Sequence, residues 1–238
     1  MNYFMKKCFR SPFSGQRLGK VGVFAVLYKM ASVLCLGLAT ASTGEKTPAD
    51  YVNPLIDTHA ARWIYFSSAC RPFGMVNLSP DTQVGGDWMN GYIYGATNIL
   101  CFSHVHGWQI YGVPVMPQVG ELRSQNGLAA AASPFLHADE IIHPGYHKVF
   151  LQRYGITTEL TSTTRVGFHR YTFPASQQSH ITINLAHALG LGTDWQSQEF
   201  LGAEVHLTSN HEAQGVARFT GGWNRGGEYK VYYYMVLD

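Results

Sequence analysis

The chain of 238 residues predicts an all-β fold of the sandwich type, on three observations. Apolar and polar residues alternate with period two through most of the body. Gly, Pro, Asn and Ser interrupt that alternation at short intervals. Beyond residue 45 no stretch keeps a long apolar period of 3.6 residues. Many short strands between frequent turns bury their apolar faces most simply in two packed sheets.

The elements follow in order. The Ala run in 127–133 is short and ends at Pro134, so it predicts no long helix. Residues 145–152 set His147, Val149 and Leu151 against Tyr146, Lys148 and Phe150. A turn at Arg153-Tyr154-Gly155 leads into a second alternating run, 156–161. Strands at 168–173 and 180–186 come next, the latter turning Ile181, Ile183 and Leu185 to one side. Asn224-Arg225-Gly226-Gly227 forms a hairpin turn, and 229–237 runs as a strand almost to the last residue. A domain seldom stops inside its most apolar strand, because an unpaired edge invites aggregation. The expectation is a sandwich incomplete at its C-terminus; the competing reading is that this strand closes a sheet.

Charge is scarce, at 13% of residues, and unevenly placed. Residues 1–41 hold six basic groups (Lys6, Lys7, Arg10, Arg17, Lys20, Lys29) and no acid, leaving 11 basic and 15 acidic groups in 42–238, a balance of −4. A mildly acidic body lacks the basic face that nucleic acid requires. The front end reads as an export signal over 1–41. Basic residues precede two apolar runs split by Lys29, and Ala39-Thr40-Ala41 offers a small-residue cleavage site. A permanent anchor is the competing reading, but each run falls short of the roughly 20 residues that span a bilayer. The expected organisation is a signal at 1–41, a linker at 42–50, and one domain over 51–238, exported to the periplasm or beyond.

Cys70 and Cys101 remain after such processing. They either bridge, closing a loop of about 30 residues, or stay as two buried thiols on neighbouring strands.

Residues 85–117 interleave aromatics, Gly, Asp, Ser and His with few formal charges. Neutral sugars need such a surface, with ring faces for C–H edges and short polar groups for hydroxyls. A β-rich core with polar turns has the same composition. On a strand, His104 and His106 would share one face. A metal would need further ligands from His59, His143 or His147, which no spacing brings together, and hydrogen bonding is the better use of the pair. The acids Asp57, Asp81, Asp87, Asp139, Glu140, Glu159, Asp194 and Glu199 include no evident catalytic pair, and each alone reads as a turn or solvated residue.

Ordered motifs now carry a resemblance. Val52-Asn53-Pro54-Leu55-Ile56, Arg71-Pro72-Phe73-Gly74-Met75-Val76-Asn77-Leu78-Ser79-Pro80-Asp81-Thr82, Gly91-Tyr92, Phe102-Ser103-His104-Val105-His106 and Val115-Met116-Pro117 are similar to glycoside hydrolase family 92. Pro144-Gly145-Tyr146, Tyr154-Gly155-Ile156, Glu159-Leu160-Thr161, Arg165-Val166-Gly167-Phe168-His169-Arg170-Tyr171 and Phe173-Pro174 extend the likeness in the same order. One departure is Asp57-Thr58-His59-Ala60-Ala61-Arg62-Trp63, where much of the family has a Gly-rich stretch.

The resemblance implies a two-sheet antiparallel β-sandwich similar to galactose mutarotase, set before a C-terminal α/α barrel. It implies a calcium-dependent, inverting exo-α-mannosidase acting on mannose-containing glycans, with the acid, base and calcium ligands largely on the barrel. No catalytic residue and no metal ligand are then expected in this chain, and the barrel is a partner in cis or in trans. Trp88 is the expected sugar contact, with Asp87, His104 and His106 behind it. Two other readings stay open: a stand-alone carbohydrate-binding module, and the remnant of a broken gene. An orphan sandwich would expose an apolar seam and self-associate.

Overall fold

The computed structural model describes residues 4–5, 45–56, 58–59, 68–83, 91–107, 110–187, 198–222 and 226–238. Apart from the backbone of strand β1 (Phe4–Met5), the expected signal segment lies outside them. The body is built of β2 (Ser79–Asp81), β3 (Asn98–Ile99), β4 (Cys101–Ser103), β5 (Val105–Gly107), β6 (Ile110–Gly112) and β7 (Val115–Val119). The short helix α1 (Leu128–Ala131) and β8 (Ser133–Pro134) follow. Then come β9 (Ile141–His143), β10 (Tyr146–Leu151), β11 (Ile156–Ser162), β12 (Gly167–Thr172), β13 (Ser179–Ile183), β14 (Gln198–Leu207), β15 (Glu212–Gly221) and β16 (Tyr229–Val236).

Every described pairing is antiparallel. One sheet runs β1-β13-β7-β4-β2, a second β12-β11-β10-β9, and a third β14-β15-β16. The first two share a core: Leu78, Cys101, Phe102 and Met116 meet Val149, Leu151, Ile156 and Leu160. Each fully buried aliphatic side chain there contributes about 1.5–3 kcal/mol.

The β10–β11 hairpin shows why the chain folds this way. His147, Val149 and Leu151 are buried while their neighbours are half-buried. Register sets His147 opposite Leu160, Val149 opposite Thr158 and Leu151 opposite Ile156, so one apolar stripe faces the core. Gly155 takes φ 63° in the connecting turn, and the Tyr154 hydroxyl donates to the Ala131 carbonyl at 2.7 Å, tying the hairpin to the end of α1.

Two expectations need correction. In β13 the buried residue is Thr182, bonded to Gln118 and Ser124, whereas Ile181 and Ile183 are half-buried. Pairing with β7 puts Thr182 opposite Met116, and Ile183 with Leu185 packs instead against Phe219 of the third sheet. Cys70 and Cys101 are not joined by a disulfide; Cys101 is buried in β4, but Cys70 lies half-buried outside any strand.

The third sheet packs Phe200, Phe219 and Tyr229 on its inner side, the last two stacked at 5.4 Å. Its outer side leaves Tyr232, Tyr234 and Val236 exposed on β16, which has no further strand beside it among the described residues.

Candidate functional site

β2 ends at Asp81, and its pairing with β4 sets Asp81 opposite Cys101. The chain bends at His104 and continues into β5, which carries His106. The bend corrects the expectation of a shared face: the two rings take different partners.

His106 Nε2 donates to Asp81 Oδ1 at 2.7 Å, with Ser103 Oγ 3.0 Å from the same nitrogen. On the other side, Nδ1 donates to the Asn77 carbonyl at 2.6 Å. The second oxygen of Asp81 accepts from the Cys101 thiol at 3.3 Å. With acceptors at both nitrogens, the ring is held as an imidazolium. Burial pulls its pKa down, but the Asp81 charge and the hydrogen bonds outweigh burial, and the net direction is up.

His104 belongs to a neutral chain. Its Nδ1 donates to the Val113 carbonyl at 3.1 Å, and its Nε2 accepts from His169 Nε2 at 2.7 Å. The Tyr171 hydroxyl donates to His169 Nδ1 at 2.7 Å, so donors and acceptors match along the line. Burial pushes His104 down to about 4, and burial with the neighbouring His104 holds His169 well below the ordinary imidazole value. Val113 has φ 54°, strained for a β-branched residue, and presents the carbonyl that orients His104. Gly167 lies against the same ring; a Cβ there would stand 2.8 Å from His104 Cδ2. His187 joins the region from beyond β13: burial sets it at about 4, against the opposing charge of Asp81.

Gly91 closes the site. It has φ 82°, and a Cβ at this position would lie 2.2 Å from Asp81 Oδ1 and 2.8 Å from His106 Nε2. Its carbonyl accepts from the backbone N–H groups of Thr82 at 2.6 Å and Gln83 at 3.1 Å. Gly91 is therefore packed against the Asp81–His106 pair and tied by its carbonyl to Thr82 and Gln83. Asp87 and Trp88 belong to segment 84–90 and lie outside the described residues.

The other acids divide by environment. Asp57 and Asp194 lie outside the described residues, and Asp139 and Glu199 are exposed. Glu159 pairs with Arg170 across β11 and β12. Asp81 and Glu140 correct the expectation of solvated acids, since their side chains are 0% and 3% exposed and both meet histidine. Sequence reasoning also passed over His169, although it sits in a motif that carried the resemblance; its partner lies 65 residues away.

Among the described residues no group of three or more His, Cys, Asp or Glu is placed to hold a metal ion. Calcium takes six to eight oxygens, whereas the buried carboxylates here are taken up by imidazoles and other donors. The described residues do not fit a calcium centre.

No curated protein matches the chain. Among solved structures, the family GH92 alpha-mannosidase BT3965 from Bacteroides thetaiotaomicron, in complex with mannoimidazole, is similar at 27% identity and a TM-score of 0.67. The match covers 78% of this chain and 24% of that one. A second structure of the same mannosidase gives 28% identity and a TM-score of 0.66, over 78% of this chain and 25% of that one. The inverting mannosidase BT2199 from the same organism, at 18% identity and a TM-score of 0.56 over 82% of this chain and 30% of that one, shares the fold. The chain thus spans about a quarter of the first two mannosidase chains. Residues 51–238 match the model of the glycosyl hydrolase family 92 N-terminal domain, and the chain belongs to that family.

Proposed function

We propose that this domain forms one wall of a mannose-binding pocket in an exported, glycan-trimming α-mannosidase. The reacting carboxyls and the calcium ion would sit on a companion α/α barrel, joined in cis or in trans. Segment 84–90 would meet the sugar through Trp88 and Asp87, while His106 and His104 hold its base from within. The observation that carries this reading is Gly91 packed against the buried Asp81–His106 pair, its carbonyl tied to Thr82 and Gln83, in a chain of the family 92 N-terminal class. A sugar-facing aromatic needs a preorganised base, because ordering a mobile loop on binding subtracts from affinity.

The same geometry argues that the domain does not hydrolyse by itself. Inverting hydrolysis uses two carboxyls about 6.5–9.5 Å apart with water between them. Asp81 and Glu140 are both buried and bonded to histidine.

The test is an assay of the purified chain on aryl α-mannosides with calcium, beside calorimetry with mannose and mannobioses. Binding heat that disappears in Trp88→Ala, without turnover, supports the proposal. Robust hydrolysis by the chain alone overturns it.

A further inference from the structure

The outer side of the third sheet gathers side chains that the proposed pocket does not use. Val231 of β16 stands inward, where Gly112 of β6 leaves room for it. Lys230, Tyr232, Tyr234 and Val236 therefore point the other way. Register continues that face across the sheet. Tyr234 lies opposite Gln214 and Gln214 opposite His206, while Tyr232 lies opposite Val216 and Val216 opposite Glu204. Tyr232 is 72% exposed and Tyr234 60%, so both rings are available to a ligand. Two residues apart on one strand, their Cα atoms stand about 7 Å apart, which sets the rings under separate units of a chain-like ligand.

The surroundings of the rings narrow the choice of ligand. Acidic and basic groups frame them side by side: Glu204 faces His206 at 3.8 Å, and Glu228 faces Lys230 at 3.7 Å and Arg218 at 4.0 Å. The Glu212 carboxylate accepts from the Thr208 hydroxyl at 3.3 Å and also meets the Tyr234 hydroxyl. A strongly charged polymer would meet repulsion here as well as attraction. A permanent protein partner is disfavoured by the same groups, because the core of such an interface is depleted in charge. A neutral, polyhydroxylated chain fits: the ring faces take its C–H edges, and Gln214 and His206 exchange hydrogen bonds with its hydroxyls.

We infer that the outer face of β14–β16 is a binding site for a neutral glycan chain, with Tyr232 and Tyr234 as its stacking residues. It shares no residue with the Asp81–His106 region. Such a site holds one stretch of a glycan and raises the local concentration of the rest. That the glycan is rich in mannose rests on the function proposed above; its neutral, polyhydroxylated character does not.

The experiment is native affinity electrophoresis of the wild-type chain through gels containing soluble α-mannan, beside Tyr232→Ala, Tyr234→Ala and the double variant. Both rings are exposed, so the variants should keep the wild-type melting temperature. Retardation is expected in the wild type, about tenfold weaker in each single variant and absent in the double variant. Tyr232→Phe, which keeps the ring, should bind like the wild type. Retardation that survives the double variant overturns the site, as does a wild type that neither mannan nor a neutral glucan retards. Retardation by glucan alone, lost with the tyrosines, supports the site and counts against mannose as its sugar. A wild-type dimer that dissociates in the double variant, seen by sedimentation, overturns the site in favour of contact between two copies. The pocket is judged apart, by the mannose calorimetry of Trp88→Ala, which the tyrosine variants should leave unaltered.

Discussion

His106 Nε2 lies 2.7 Å from Asp81 Oδ1, with both side chains fully buried, beneath a glycine that leaves no room for a Cβ. A buried pair of this kind adds little net stability compared with an apolar pair, but breaking it leaves an uncompensated charge. Asp81→Asn should therefore cost about 3–5 kcal/mol. Chemical denaturation of the variant measures the loss, and a change below 1 kcal/mol (about fivefold in the folding constant) would sink the assignment.

Gly91→Ala tests the closure over that pair. The left-handed φ of 82° is unfavourable for alanine, and its methyl would meet Asp81 Oδ1. The backbone contribution alone is about 1–3 kcal/mol. The melting temperature should fall, and tryptophan fluorescence should report a changed environment around 84–90. Wild-type behaviour in both would contradict the placement of Gly91.

Tyr171→Phe removes the hydroxyl that donates to His169 Nδ1. A buried acceptor left without its donor costs about 1–3 kcal/mol. Since His169 in turn holds His104, the nitrogen resonances of both rings should move together in an NMR spectrum. A shift confined to His169 would mean that the chain of hydrogen bonds is not coupled.

The imidazoles set a pH dependence. Burial is the first cause of the lowered values of His104, His147, His169 and His187. Unfolded, these groups take up protons near the ordinary value of 6.5, so below that pH the unfolded chain binds more protons and stability falls. His106 runs the other way: its contribution is complete below 6.5 and is lost as pH rises through its raised folded value. Glu140 begins to lose its contribution only below 4.5, the ordinary carboxylate value. Below 6.5 His106 adds no slope, so the four lowered groups predict a melting temperature that declines between pH 6.5 and 4.5. A flat profile over that window, read by scanning calorimetry, would count against buried neutral histidines.

Cys101 is buried and donates to Asp81, and Cys70 is half-buried with its thiol pKa raised by burial. Both should react slowly with a maleimide in the native protein and fully after unfolding without reductant. Mass spectrometry counts the adducts; a missing pair after unfolding would reveal a bridge.

The β10–β11 hairpin could be read residue by residue, because alternation of side chains along a strand is a local property. Reading failed at β13, where alternation identified an apolar face but not which neighbour it would meet. Thr182 went inward because β7 offered Gln118 beside it. It failed again at His104, since a bend between β4 and β5 breaks the period-two rule that would have set His104 beside His106. Asp81 and Glu140 looked like ordinary acids because nothing nearby in sequence marks a carboxylate as buried.

By itself the sequence determined the all-β class, the local strands and the family motifs, all of which are written in short stretches of residue order. Tertiary structure alone decided that Asp81 would hold His106, that His104 would meet His169, and that Glu140 would bond Tyr92. Those partners lie 25, 65 and 48 residues apart. Burial keeps His104 and His169 neutral while the approach of Asp81 raises His106, and both arise only when the sheets pack.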